Sequence, residues 1–421
     1  MDTIMEAYQL IENQQAEKAI AMLKGYLKQA NDDEKFTIAQ LFIQLGFLEE
    51  ASTILNELLL IYPEESEIKI TLAEIYIEAE QDELAINLLA EIKGEDPSYV
   101  QALIQLADLY QAQGLFEVAE QKLLEAKKIE PNEGIIDFAL GELYFSIGEY
   151  KHAILYYGKV IMHSDHIANI SINERLGEAY AASGEYEKAL TYFKDNDSRD
   201  PDLFFRYGIT AFQADRNDIA IKAWEHVIEL DRDYHTVYYH LALAYEDDGR
   251  INDAYHIAKE GLQLDEFNKE LYFLAGSLAH RIGENEKSIE YVKQAVVLDS
   301  DYKEAVLFLV ELFKSYDNHE GIVDLLTEIK RLGADDSLYD WELARSYNEI
   351  ESYDDALNHY MEAYNSLNQD SDFVKEYGYF LTEEGRIARA IKVFEDYLTL
   401  EPLDGEVEEF LNRLKLSGSD A

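Results

Sequence analysis

The sequence predicts an all-α chain, an array of about twelve helix-turn-helix hairpins closed by one further helix, and three observations carry that reading. The five prolines, Pro63, Pro97, Pro131, Pro201 and Pro402, stand 34, 34, 70 and 201 residues apart, close to one, one, two and six units of a common step. The segments "GFLEEAS", "GLFEVAE", "GEYKHAI", "GEYEKAL" and "GRIARAI" recur at the same step, and weaker copies complete a series of small residues: Ala19, Ala51, Ala85, Ala119, Ala153, Ala189, Ala220, Ala254, Ser288, Gly321, Ala356 and Ala390. Every proline falls twelve residues after one of them. Within a unit such as "IDFALGELYFSIGEYKHAILYYGKVI", apolar residues recur three and four apart on both sides of Gly148, which is helical spacing.

Each element of the unit has a physical reason. The first helix, A, carries a small residue at its eighth position, among them Ala39, Ala73, Ala107, Gly141, Gly177, Gly208, Ala242, Gly276, Ala344 and Gly378. Together with the alanine that opens the second helix, B, it lets neighbouring backbones approach, and a Leu there is expected to cost about 1–3 kcal/mol by overpacking. Three residues later Tyr76, Tyr110, Tyr144, Tyr180, Tyr245 and Tyr347 fill the space between hairpins. A glycine before helix B suits the reversal between antiparallel helices. The proline, lacking an N–H, stops helix B and sets the turn to the next unit.

These residues resemble the tetratricopeptide repeat (TPR) family, whose 34-residue pattern joins a small residue, Tyr, Gly, Ala and Pro. Repeat 4 matches at Ala107, Tyr110, Gly114, Ala119 and Pro131, and repeat 6 at Gly177, Tyr180, Gly184, Ala189 and Pro201. The resemblance covers residues 1–402, and as a whole the chain is similar to cytoplasmic TPR proteins of Gram-positive bacilli. It implies a right-handed superhelix, an α-solenoid whose inner surface, made by the A helices, holds a partner segment.

Departures from the pattern are local. Repeat 10 has Leu309 where a small residue is expected and Gly321 for alanine, which puts its packing in question. Repeat 6 runs into the polar "KDNDSRDPDL", with Asn196 where a small apolar residue is expected, so an irregularity is expected near 190–202, dividing 1–200 from 201–421. After Pro402, Val407, Phe410, Leu411 and Leu414 lie at helical spacing, predicting a capping helix over 403–416 and a frayed tail over 417–421.

Composition narrows function. With 36 Lys and Arg against 86 Asp and Glu, the formal charge of −50 repels nucleic acid and anionic lipid. Hydrophobic residues at 48% and 31 tyrosines exclude a disordered acidic chain. Without cysteine there is no disulfide, thiolate nucleophile or Cys-held zinc. The start, MDTIMEAYQLIENQQ, lacks the basic and apolar regions of a signal peptide, and no membrane-spanning run is present, so a soluble, cytoplasmic protein is expected. No nucleotide-binding, metalloprotease or hydrolase motif occurs, and no segment outside the repeats has room for a catalytic domain, so neither an enzyme nor a cofactor is expected. His163 and His166, three apart around Asp165, are a minor metal candidate against the plainer reading of a polar linker. "NIS" at 169 fits a glycosylation sequon but has no secretory context.

What the resemblance implies about the groove can be read onto this sequence. Glu74, Asp108, Glu142 and Glu178 form an acidic ladder at one position of repeats 3–6, supported by Glu67, Glu78 and Glu174. Carboxylates about 10 Å apart repel by only about 0.4 kcal/mol in water, so the fold tolerates the ladder and a Lys- or Arg-bearing segment can use it. Groove positions then become aromatic, with Phe138, Phe145, Phe205, Phe212, Tyr239, Phe273 and Phe313 offered as apolar anchors, unless the phase is off by one and they are core. Arg281, Lys303, Lys314, Arg345 and Lys375, with Trp341 among them, could hold an acidic segment or a terminal carboxylate. The leading expectation is a non-enzymatic scaffold that binds a basic or amphipathic protein segment; the alternative is a structural, self-assembling homo-oligomer.

Overall fold

The apolar residues that recur three and four apart do form helices. The computed structural model describes residues 2–194 and 199–417, and 25 helices run through them. They pack in consecutive pairs, from Asp2–Glu12 with Ala16–Tyr26 to Ser371–Glu383 with Ile387–Leu400, making twelve hairpins before a last helix, Gly405–Ser417. The chain divides into two compact units, Met1–Asp197 and Ser198–Ala421. The first holds hairpins 1–6, the second hairpins 7–12 and the last helix. Asn196 and the centre of "KDNDSRDPDL" lie outside the described residues, as do residues 418–421 of the tail.

The reversal between A and B is the same in every unit from which a glycine could be read. Gly46, Gly114, Gly148, Gly184, Gly249, Gly283 and Gly385 all have φ between 67° and 84°, the left-handed conformation that ends a helix without a Cβ clash. Gly114 shows the bonding: its N–H donates to the Gln111 carbonyl at 2.9 Å, and the Leu115 N–H donates to the Tyr110 carbonyl at 2.8 Å. Gln14, Glu80, Asp215, Asp317 and Glu351 adopt the same conformation with a side chain attached, so the other five units keep the turn.

The small residue of helix A has a specific counterpart that the sequence period does not announce. A Cβ built on Gly141, Gly177, Gly208 or Gly378 would meet Tyr157, Phe193, Trp224 or Phe394 within 2.7 Å, in each case the ring sixteen residues further on in helix B. Where the small residue is alanine, Leu55, Leu89 and Leu123 stand at the same offset from Ala39, Ala73 and Ala107 and share their core clusters. Leu309 is itself fully buried, so repeat 10 accommodates it; its counterpart Leu325 is only half-buried, where Leu123 is fully buried. At Gly321 the neighbour is the Asn318 side chain, whose Oδ1 accepts from the Gly321 N–H at 3.0 Å and opens helix B.

The prolines do not all do one job. Pro63, Pro131 and Pro402 each follow helix B by two residues, as expected. Helix Asp82–Ala90 ends early, so Pro97 sits in a longer turn, and Pro201 is the first residue of helix Pro201–Gln213, capped by Asp200. Its missing N–H falls where a helix has no partner for one. The last helix lays Val407, Leu411 and Leu414 into the core of hairpins 11 and 12, with Phe410 against Phe394 and Tyr379.

Candidate partner-binding surface

Successive A helices carry the acidic ladder, and their environments divide it in two. Glu74 on Ser66–Glu78 and Asp108 on Tyr99–Ala112 are exposed and make no ion pair among the described residues. The Gln105 amide donates to Glu74 Oε1 at 3.1 Å, while burial of its surroundings pushes the Asp108 carboxyl above the ordinary carboxylate range. Solvent reaches that carboxylate, yet neighbouring helices crowd it, a setting in which an added cation would relieve its cost. Glu67 and Glu78 are also exposed.

Glu142 and Glu178 are already served. Arg175, on helix Ile172–Ala182, places Nε 3.1 Å from Glu142 Oε1, a close ionic contact without hydrogen-bond alignment, and donates from Nη1 to Glu178 Oε2 at 2.9 Å. Tyr157 donates to Glu142 at 2.5 Å, and its phenol is raised well above its usual pKa by burial and then by that carboxylate. The four carboxylates of the ladder are thus not alike: one internal guanidinium is shared by two of them. Arg175 escaped the sequence reading, although an arginine one repeat on from Glu142 and three residues before Glu178 was its available signal.

The aromatic set also separates. Phe138 and Phe313 are 8% and 5% exposed and belong to the core, the first against Tyr157 at 6.2 Å. They are not surface anchors; the phase places their rings between helices. Phe145, Phe205, Phe212, Tyr239 and Phe273 are half-buried. Phe145 meets Tyr150 edge-on, and Phe273 lies 5.3 Å from Tyr302 and 5.7 Å from Phe308. Phe205 touches Trp224, Tyr234 and His240, with Phe212 on Trp224 and Tyr239 on His240. Burial holds His240 below its ordinary pKa, keeping the ring neutral and apolar in character. Trp224 and His240 went unnoticed in the sequence because each belongs to a single repeat.

The basic set is spent inside the protein. Arg281 pairs with Glu246 at 2.5 Å, Lys303 with Asp336, Lys314 with Glu342 at 2.6 Å, Arg345 with Glu376 at 2.5 Å and Lys375 with Asp404 at 2.7 Å. Trp341 donates to Glu376 at 2.8 Å and is covered by the Arg345 guanidinium, 4.0 Å from its ring. These cations tie neighbouring hairpins together, and hairpin 12 to the start of the last helix, which corrects their assignment to an acidic ligand. His166 opens a two-residue antiparallel pairing, His166–Ile167 with Ile170–Ser171, His163 precedes it by three residues, and His166 Nδ1 lies 3.2 Å from Asp165. Among the described residues no helix is long and apolar enough to cross a membrane.

Comparison with known proteins agrees with this architecture. Family models described as "YpiA-like, C-terminal tetratricopeptide repeats" and "YpiA-like, tetratricopeptide repeats" match residues 338–404 and 111–165, and a tetratricopeptide repeat model matches 269–302. A further model, "Tetratricopeptide repeat protein 21 ARM repeat", matches 1–114. The TPR repeat-containing protein YpiA of Bacillus subtilis (strain 168) is 37% identical over 414 residues, covering 98% of either chain. Among solved structures, YrrB, described as a TPR protein with an unusual peptide-binding site, is 17% identical over 44% of this chain and 95% of its own, with a TM-score of 0.39. MamA is 22% identical over 41% of this chain and 94% of its own, with a TM-score of 0.37.

Proposed function

Because the chain belongs to the family of YpiA-like tetratricopeptide repeat proteins, we propose that it is a non-enzymatic adaptor whose A-helix surface in repeats 3 and 4 receives a basic segment of a partner protein. TPR proteins in general mediate protein–protein interaction, which supports the class of function. The observation that carries the finer reading is the contrast within one ladder: Arg175 is shared by Glu142 and Glu178, while Glu74 and Asp108 pair with no cation among the described residues. A partner's Lys or Arg would do for the second pair what Arg175 does for the first. Neighbouring A helices are separated by about 10 Å, and a segment in the polyproline-II conformation, with three residues per turn, covers about 9 Å in three residues and returns the third side chain to the same face. The segment is therefore one with two basic residues three apart. The half-buried rings of repeats 7–9 are a separate apolar surface suited to the non-polar side of an amphipathic partner.

The test uses the full chain immobilised, with capture from a cell lysate at low and at physiological salt. Glu74→Lys with Asp108→Lys is expected to abolish the salt-sensitive fraction while the helical circular dichroism spectrum is unchanged. Capture that survives the double reversal would remove the acidic pair from the function.

A further inference from the structure

Hairpin 11 holds a charged cluster that the partner-binding surface does not use. Asp340 on helix Ser337–Glu349, and His359 and Glu362 on helix Tyr353–Leu367, bring one ligand atom each to within 4.8 Å of the others. His359 Nδ1 lies 2.8 Å from Asp340 Oδ1 and 3.6 Å from Glu362 Oε2. Those spacings bracket the edge of about 3.3 Å that separates ligands around a tetrahedral ion with bonds of about 2.0 Å. Asp340 is buried, His359 is half-buried with its ring stacked on Tyr347 at 5.4 Å, and Glu362 is exposed. One turn of helix puts His359 and Glu362 on one face.

A cation already stands there. The Lys330 ammonium is 2.6 Å from Asp340, 3.6 Å from Glu362 and 3.4 Å from Asp335, so three carboxylates share one positive charge. The first unit offers an internal comparison. Lys127 pairs with the buried Asp137 at 2.6 Å, and the place corresponding to His359, three residues past the small residue that opens helix B, is Tyr156. A lysine is therefore enough to neutralise a buried aspartate at this register, and the imidazole and second carboxylate of hairpin 11 are additional. A cleft of about 1040 Å³, lined in part by Lys330, Asp335, Asp340 and Glu362, opens beside them. The flexible lysine stem has room there to turn towards Asp335, whose side chain is 82% exposed.

We propose that Asp340, His359 and Glu362 form a binding site for a divalent transition-metal ion of the zinc class, in which the Lys330 ammonium is the resident cation that the metal displaces towards Asp335. An imidazole nitrogen with two carboxylate oxygens is a zinc-type donor set, and the cleft leaves water to complete the coordination. A bound ion would join the two helices of hairpin 11 and release Lys330 of hairpin 10 from them.

Isothermal titration of the metal-free full-length chain with Zn2+, and with Co2+ followed by its visible absorption, tests the site. One equivalent is expected, with affinity falling about tenfold or more in His359→Ala and in Glu362→Gln. Glu362 is exposed, so the second variant keeps the test independent of folding, which circular dichroism checks for both. Lys330→Met, which removes the competing charge, is expected to bind more tightly than the parent, and His163→Ala with His166→Ala to bind as the parent does. Affinity unchanged in both His359→Ala and Glu362→Gln, or no uptake by Lys330→Met, overturns the proposal.

Discussion

At the scale of single residues, the architecture depends on a size match across each hairpin. A Cβ on Gly378 would lie 2.7 Å from the Phe394 ring, and Phe394 is fully buried between Tyr379 and Phe410. Gly378→Ala is therefore expected to destabilise the chain by about 1–3 kcal/mol through overpacking. Adding Phe394→Leu, which makes the pair like Ala107 and Leu123, is expected to cost less than the two single changes summed, because the leucine vacates the space the new methyl needs. Urea denaturation of the four proteins measures the coupling, and strict additivity would refute the match. The small residue was legible in the sequence because it repeats. Its counterpart was not, since sixteen residues is neither a helical period nor the repeat length and becomes meaningful only once the two helices lie antiparallel. The same limit applied to Arg175: its type was plain, but that it sits between Glu142 and Glu178 depends on the packing of one hairpin on the next.

At the scale of elements, hairpins are joined by charges placed at helix starts. Lys269 and Lys303 each open an A helix and reach Asp299 and Asp336, which lie in the turns leading into the following A helices, and Lys375, one turn into its A helix, reaches Asp404 before the last helix. Asp404 gathers three donors: the Lys375 ammonium at 2.7 Å, the Tyr397 hydroxyl at 2.7 Å and the Val407 N–H at 3.1 Å. These donors, the lysine first, hold its carboxyl well below the usual carboxylate range. A depressed folded-state pKa contributes stability that is complete above the unfolded value, about 3.9, and is lost as pH falls through the lower folded value. Asp404→Asn is accordingly expected to speed amide exchange in residues 405–417 at neutral pH, and in the parent that loosening is expected only under strong acid. Exchange in this helix that ignores the substitution would show the apolar face of Val407, Leu411 and Leu414 to hold it unaided. The helix itself was legible from those same apolar residues. The early end of Asp82–Ala90 and the strand pairing at 166–171 were not, because both lie between repeats, where spacing no longer constrains the chain and local turn chemistry decides.

For the whole molecule, the charge of −50 sets two salt responses against each other. Ion pairs such as Arg281 with Glu246 are half-exposed and contribute about 0–1 kcal/mol each, a gain that salt weakens. The acidic surplus, 86 carboxylates against 36 basic side chains, leaves many like charges within a few helix widths, each pair repelling by about 0.4 kcal/mol at 10 Å in water. Salt screens these too, and over a larger number of pairs, since the Debye length at 0.1 M is only about 10 Å. Repulsion is the larger sum, so the melting temperature is expected to rise between about 20 mM and about 500 mM NaCl. Capture of a basic partner through Glu74 and Asp108 is expected to fall over the same range, because there the screened interaction is attractive. Thermal melts and capture measured side by side separate the two: a protein that binds less while becoming more stable is losing electrostatic recognition and not structure. A melting temperature that falls with salt would mean that the ties between hairpins outweigh the surplus, and binding lost at high salt would then have to be referred to unfolding.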